Sequence, residues 1–407
     1  MKRVVLISLV AAAALNAVSI DEAFKSGKVS GQIRTAYVNQ DNAIDTDTYG
    51  TSVGGRLKYE TATWNNVTLG IAAYVSEKLS FASGNGEKLN PDFFDTYGNS
   101  FVYLGEAYID YSADDVSVRI GRQMVDTPFM ETDDVRFLPN SFEAAIVSYS
   151  GIEKTTVIAG YAQRWAGYDS PTGHNDSLNE FKKFGENHDS SGVYLVGITN
   201  ESFENIGLQG WLYKINQYSD IFYTDATYTK RLGETSTVEL SVQYALFDED
   251  KDTQGNETGI DGHIYGAGIN VNIGMITLGT AYNRTSNTNG KFITNGLGGG
   301  PYYTSMEEMT IDGLEDAKAY QVSAEIDMTD VGIEGLKFAT LYGDFRGKNQ
   351  NLDAKVSEFD IVAAYTLDEN ICADMSYARV NDKNKNTSDT GTDGGYDRFL
   401  VRLNYSF

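Results

Sequence analysis

The chain predicts an all-β protein, a transmembrane antiparallel β-barrel of about eighteen strands with short turns on one rim and long loops on the other. Three observations lead there. Segments of about ten residues alternate apolar and polar side chains again and again, as expected where one face meets lipid and the other meets water. Beyond the N-terminus no uninterrupted apolar run approaches the roughly 20 residues that a spanning helix needs, so a closed barrel is the one way this chain can cross a bilayer. The connections between candidate strands also alternate in length along most of the chain, a sorting that a soluble β-sandwich has no reason to show.

The elements follow in chain order. Lys2 and Arg3 precede an uncharged, mostly apolar run from Val4 to Leu15, and small residues follow at Ala17 and Ser19. This is the pattern of a secretory signal peptide over residues 1–19, with Ala17 as a second cleavage point and the mature chain starting near Ile20. Removing Lys2 and Arg3 leaves 30 basic against 57 acidic side chains, about 27 net negative charges, which disfavours nucleic acid as a partner. Aromatics at 12%, 41 glycines and only 5 prolines suit many strands with interfacial tyrosines. The single cysteine, Cys372, has no partner for an intramolecular disulfide and is expected as a small buried residue in a strand.

No linker divides residues 20–407, so they are read as one barrel domain. The terminal strand shows the alternation best, with Phe399, Val401, Leu403, Tyr405 and Phe407 on one face and Arg398, Arg402, Asn404 and Ser406 on the other. The same design recurs at Val67–Val75, Val238–Leu246 and Phe359–Leu367. Short turns are expected at Trp64–Asn66, Ala113–Asp114, Gly151–Glu153, Glu201–Glu204, Leu232–Glu234, Ile273–Gly274, Thr329–Glu334 and Asp368–Glu369. Long loops are expected between them, at Asn39–Gly50, Phe81–Ser100, Val125–Asn140, Ala166–Ser190, Asp248–Gly259, Ser286–Asp316, Gly347–Ala354 and Asp382–Gly395, while Gln217–Asp220 breaks the rule by being short. Turns inside and loops outside, with an even strand number, leave both termini on the periplasmic side of an outer membrane.

The stretch Leu104–Ala144, LGEAYIDYSADDVSVRIGRQMVDTPFMETDDVRFLPNSFEA, resembles the core of the OprD-like porin family, in which a strand pair ending in GRQ leads into a long loop with TPF, D-D-x-R and an LPNSFEA-type return. The segment Asp21–Arg34 and the terminal strand ending in Phe407 are similar too, and the Asn-, Asp- and Tyr-rich loops look like the branch from Campylobacter-related bacteria. The resemblance implies an eighteen-stranded outer-membrane barrel in which loop 125–140 folds into the lumen and narrows it. A row of basic wall residues beside that loop would then guide small polar, anionic or zwitterionic solutes: ions, amino acids and small carboxylates.

Such a channel needs fixed charges and a wet cross-section, not a reactive group. On the second strand Val53, Gly55, Leu57 and Tyr59 face lipid, which turns Arg56, Lys58 and Glu60 inward. By the same parity Arg34 joins Ser30 and Gln32, Arg119 joins Ser117 and Gln123, Arg164 joins Gly160 and Ala162, and Arg402 joins Asn404. Arg122, in the GRQ motif, has the wrong parity and needs a bulge or a position above the bilayer to reach the pore. The bland account of each basic wall residue is that lipid rejects charge, by up to about 2 to 4 kcal/mol at the midplane. Loop 125–140 is mostly acidic, with Asp126, Glu131, Asp133 and Asp134 against Arg136. Acidic loop facing basic wall would set up a transverse field; alternatively those carboxylates pair with wall arginines and hold the loop in place.

Other classes fare worse. A barrel hydrolase needs a His near a carboxylate or Ser, yet His174 and His188 share one loop and His263 lies near a strand start. No nucleotide-binding or zinc-protease motif is present, and the GLGGGP run at Gly296–Pro301 reads as a flexible loop. No cofactor is implied; Asp248, Glu249, Asp250 and Asp252 could bind Ca²⁺ weakly but lack the spacing of an EF-hand. An adhesin or purely structural barrel is the alternative reading, because long outer loops also serve recognition. Expected partners are outer-membrane lipid and lipopolysaccharide, and the barrel assembly machinery through the terminal aromatics Tyr405 and Phe407. The sequence leaves monomer and trimer open.

Overall fold

The computed structural model describes residues 19–132, 134, 136–170, 178–185, 190–287, 291–298, 300–349, 352–384 and 394–407. The signal segment up to residue 18, Asp133, His174 and His188 lie outside the described residues. A short helix, α1 (Ile20–Lys25), capped by the Ser19 side chain, precedes the first strand. Then follow β1 (Lys28–Asn42), β2 (Thr48–Glu60), β3 (Val67–Lys78), β4 (Phe101–Ala113), β5 (Val116–Gln123), β6 (Ser141–Ile152), β7 (Thr155–Ala166), a two-residue β8 (Lys182–Lys183), β9 (Val193–Phe203) and β10 (Ile206–Ile215). The chain continues through β11 (Ser219–Arg231), β12 (Ser236–Glu249), β13 (Gly262–Ile273), β14 (Ile276–Asn287), β15 (Glu315–Asp327), β16 (Leu336–Asn349), β17 (Leu352–Thr366), β18 (Ile371–Asp382) and β19 (Tyr396–Ser406).

Each long strand pairs antiparallel with its chain neighbours, and β1 closes the ring by pairing with both β2 and β19. Eighteen long strands thus form a barrel without edges, the arrangement in which every ladder N–H and C=O finds a partner inside a bilayer. The outward face carries the apolar alternation read from the sequence: Leu240, Val242, Phe359, Ile361, Leu403, Tyr405 and Phe407 are all exposed. Tight turns on one rim use residues that tolerate a left-handed backbone, Asp114, Lys154, Asn205 and Gly274, each with positive φ.

On the other rim the connections are long except at 43–47, at 216–218 and between β16 and β17, and the expected loop Asn39–Gly50 shrinks because β1 runs to Asn42 and β2 starts at Thr48. Of the expected loop Gly347–Ala354, the described residues 347–349 and 352–354 are instead strand, since the β16–β17 ladder runs on until Asn349 pairs Leu352. Polar composition misled here: a lumen-facing strand end is as polar as a loop. Cys372 is half-buried rather than buried, lying beside the Asn404 amide on the inner face.

Candidate functional site

Two long loops fold into the barrel and build the site. Loop 124–140 leaves β5, and its Phe129 is buried among the rings of Tyr213, Tyr223, Phe247 and Tyr302, with centroids 5.5, 5.6, 5.9 and 6.1 Å away, all edge-on. At its far end Asp134 takes a two-pronged bond from the Arg34 guanidinium, at 2.5 and 2.7 Å, and Arg34 also donates to the Phe137 carbonyl at 2.8 Å. The Arg402 guanidinium donates to the carbonyl of Asp134. Tyr213, Tyr223 and Phe247 stand on β10, β11 and β12, half-way round the ring from the β1–β19 seam that carries Arg34 and Arg402. The loop therefore crosses the lumen roughly along a diameter.

Composition makes 291–314 an outer loop and the GLGGGP run within it flexible, but the described residues of this second segment lie inside the barrel. Gln243 on β12 donates to the Pro301 carbonyl at 2.6 Å, Asn283 on β14 accepts from the Thr304 backbone at 3.0 Å, and Gln321 on β15 donates to the Ser305 carbonyl at 2.9 Å. The Glu358 and Asp360 carboxylates on β17 accept the backbone N–H groups of Glu307, Glu308 and Met309 at 2.8 to 3.2 Å. The glycines serve close approach: Gly296 has φ +64, and a Cβ there would sit 2.5 Å from the Tyr218 ring.

Between these loops lies a buried charge cluster. Arg398, only 3% exposed, reaches Asp92 and, at 3.0 Å, Glu308; Arg136 reaches Glu308 at 3.1 Å and Asp92 at 3.6 Å. Burial works against the Arg136 charge, but Glu308, Tyr168 and Asp92 outweigh it and hold the guanidinium protonated above its ordinary range. Burial also pushes the Tyr168 phenol up, so it stays neutral over the Arg136 guanidinium, 4.6 Å from ring to cation. Three loops, carrying Asp92, Arg136 and Glu308, are thereby tied to one wall residue.

The wall itself carries Arg56, Lys58 and Arg119, with side chains 26, 18 and 38% exposed. Arg56 meets Glu106 at 3.2 Å and Lys58 meets Glu60 at 2.9 Å. Arg119 meets Asp110 at 2.8 Å and lies over the Tyr108 ring. These three, with Arg34 and Arg402, face the lumen.

Arg122 and Arg164 do not join them. Gln163 is an extra residue in β7, so Ala144 pairs Ala162 while Glu143 pairs Arg164, and the alternation flips between Ala162 and Arg164. The expected inward Arg164 is thus corrected to the outer face, where it meets Glu143 at 2.6 Å. Arg122 bonds the same carboxylate at 3.0 Å and keeps the outward parity of Ile120, so it does not reach the pore. Arg164→Gln is therefore expected to leave the reversal potential across a salt gradient unchanged, whereas Arg56→Gln shifts it measurably.

Within loop 124–140, Asp134 pairs with the wall through Arg34, Asp126 accepts the Thr132 backbone N–H at 3.0 Å, and Glu131 offers its backbone carbonyl to Asn140. Asp252 caps its own turn through Gln254 and Asn256, and Glu249 pairs Lys291 at 2.6 Å. No three carboxylates, histidines or cysteines come together as a metal site among the described residues.

Sequence reasoning missed Arg398, although parity with Arg402 put it on the lumen face. Nothing in the sequence marked Asp92 or Glu308, whose neighbours come from distant strands.

The family model for outer membrane porins of the OprD family matches residues 24–407. Among solved structures, the chain is similar to Acinetobacter baumannii OccAB2, with TM-score 0.80 and 16% identity, over 95% of this chain and 99% of that one. It is also similar to Pseudomonas aeruginosa OccK2 in complex with glucuronate, with TM-score 0.75 and 16% identity, over 94% and 99%. A third likeness is to Pseudomonas aeruginosa OpdK with vanillate, with TM-score 0.75 and 17% identity, over 94% and 99%. A search of curated proteins finds no match at a significant level.

Proposed function

The chain belongs to the OprD family of outer membrane porins, and from that premise we infer that it admits small carboxylates and amino acids along the wall formed by β2 to β5. As a member it is a channel for small polar solutes in the outer membrane of a Gram-negative bacterium. One observation carries the finer reading. Loop 124–140 crosses the lumen, segment 291–314 occupies the β12–β17 half, and Arg56, Lys58 and Arg119 on the opposite half keep contact with solvent. Glucuronate and vanillate, held by two of the similar barrels, are small carboxylates, which supports the same class here.

The test is flux through the purified barrel in liposomes. Each wall charge is worth on the order of 1 kcal/mol at contact in a wet lumen, and its carboxylate partner offsets about half of that, which leaves about 1.5 kcal/mol for the three together. Replacing Arg56, Lys58 and Arg119 together by glutamine should therefore slow lactate relative to a neutral solute of similar size by about tenfold. Equal rates for wild type and variant would show that those residues are there only because lipid rejects charge. A folded barrel with no conductance at all would favour an adhesive or structural role.

Export and assembly belong to the same proposal. Residues 1–19 act as a cleaved signal, and the apolar outer face meets lipid and lipopolysaccharide. The terminal aromatics are the handle for the barrel assembly machinery. Phe407 exchanges backbone bonds with Gly31 at 2.9 and 3.1 Å, next to the seam where β1 meets β19, while its ring stacks on Tyr405 outside. Deleting Phe407 should lower outer-membrane levels severalfold while secretion into the periplasm continues. Unchanged levels in fractionated cells would reduce the residue to part of the interfacial aromatic belt.

A further inference from the structure

Resting on the outer-membrane reading above, we propose that the outer face of β14 to β17 binds the phosphate groups of a phosphorylated glycolipid in the outer leaflet. Four basic side chains on these strands stand in direct cross-strand register: Arg284 pairs Lys318, Lys318 pairs Arg346, and Arg346 pairs Lys355. All are exposed, and each shares the outward parity of an exposed apolar or aromatic group on its own strand, Leu278, Tyr320, Tyr342 and Phe359. Like charges placed directly opposite each other repel across a sheet. In a chain where acidic side chains outnumber basic ones, 57 to 32, such a row is a cost unless an anion settles on it.

The carboxylates nearby do not neutralise the row. Asp344, on the same face of β16, takes Arg346 at 2.6 Å and Lys383 at 2.6 Å. One step further out, Lys348 stands opposite both Glu315 and Asp353. Arg284, Lys318 and Lys355 form no ion pair among the described residues. Elsewhere on the outer face Arg122 and Arg164 share Glu143, Lys214 meets Asp220, and Arg379 meets Asp397. The height of the row also fits a headgroup. Tyr282 packs on Tyr320 at 4.8 Å and Tyr342 pairs Phe359, which marks the interfacial ring belt on this side of the barrel. Arg284 and Lys318 lie two residues beyond those rings toward the long loops, and Arg346 and Lys355 lie four beyond. At about 3.4 Å per residue on tilted strands, the charges stand roughly 5 to 10 Å above the belt. A guanidinium there can grip two phosphate oxygens while a lysine adds a point charge. Below the belt Leu278, Val322, Phe338 and Ile361 are exposed, so the same ligand finds an apolar wall for its acyl chains.

The experiment titrates the full barrel, in micelles of a neutral detergent, with bisphosphorylated lipid A and with the same lipid after its phosphates are removed, and counts bound lipid by native mass spectrometry. Wild type should retain the phosphorylated form at roughly tenfold lower lipid concentration. Arg284→Gln with Lys318→Gln and Lys355→Gln should erase that preference and leave single-channel conductance unchanged, because all three side chains lie outside the lumen. Arg284→Lys, which keeps the charge, should keep most of the preference, and Arg122→Gln with Arg164→Gln should keep all of it. Equal retention of the two lipids by wild type, or a preference that survives the triple variant, overturns the site and leaves the channel reading standing. A dimer of the wild type that the triple variant breaks, with no phosphate preference, overturns it in favour of a second copy of the chain. A wild-type protein that enters no lipid bilayer overturns both readings.

Discussion

Replacing Arg34 by methionine is expected to raise single-channel conductance severalfold, because that side chain supplies three bonds between the acidic end of the crossing loop and the barrel seam, where Arg402 adds only contacts to backbone carbonyls. Arg34 is buried and spends its donors on Asn404, both Asp134 oxygens and the Phe137 carbonyl. Removing one partner of a buried, hydrogen-bonded charge pair costs about 3 to 5 kcal/mol, since the other partner is left to find water. Asp134 can find it by swinging into the lumen, and the loop segment moves with it. The Phe129 end stays fixed by four aromatic contacts, so the loop should hinge open, not unfold. Asp134→Asn keeps the geometry and loses the charge, and should give a smaller rise in the same direction. Unchanged conductance in both variants would mean that aromatic packing, with the Arg402 and Arg136 contacts, holds the loop across the pore without Arg34.

The barrel was legible because lipid imposes a rule on every second residue, and loop lengths sort by rim. The terminal strand, from Phe399 to Phe407 outward and from Arg398 to Ser406 inward, needed nothing else. Parity also placed Arg34, Arg56, Lys58, Arg119 and Arg402 on the inner face. It failed at Arg164 because one inserted residue, Gln163, reverses a period-2 reading and leaves no local trace in composition. It could not reach segment 291–314 either. That segment is polar and glycine-rich like an exposed loop, and what draws it inward is a set of lumen side chains, Gln243, Asn283, Gln321, Glu358 and Asp360, on four different strands. The charge cluster is of the same kind. Asp92, Arg136, Glu308 and Arg398 meet only once the barrel has closed.

Arg398→Met is expected to cost the folded barrel about 3 to 5 kcal/mol, read as easier unfolding in urea or a lower temperature for loss of the compact form on gels. The size follows from what is left behind. Two carboxylates, Asp92 and Glu308, now share a cation with Arg398 and another with Arg136; without Arg398 they share one. Arg136 already faces both, at 3.1 Å from Glu308 and a looser 3.6 Å from Asp92, and its Tyr168 stack fixes the guanidinium there, so it does not replace the closer contact that Asp92 loses. The pore should respond less than it does to loss of Arg34. Loop 79–100 keeps Phe93 packed 5.4 Å from Phe137, and segment 291–314 keeps its bonds to Gln243, Asn283 and Glu358. Adding Glu308→Gln to Arg398→Met should recover part of the loss, because removing the orphaned charge removes its desolvation as well, and the two changes will not add. Additive losses in the double variant would show that Arg398 acts through packing of its stem against the wall and not through the carboxylates it faces.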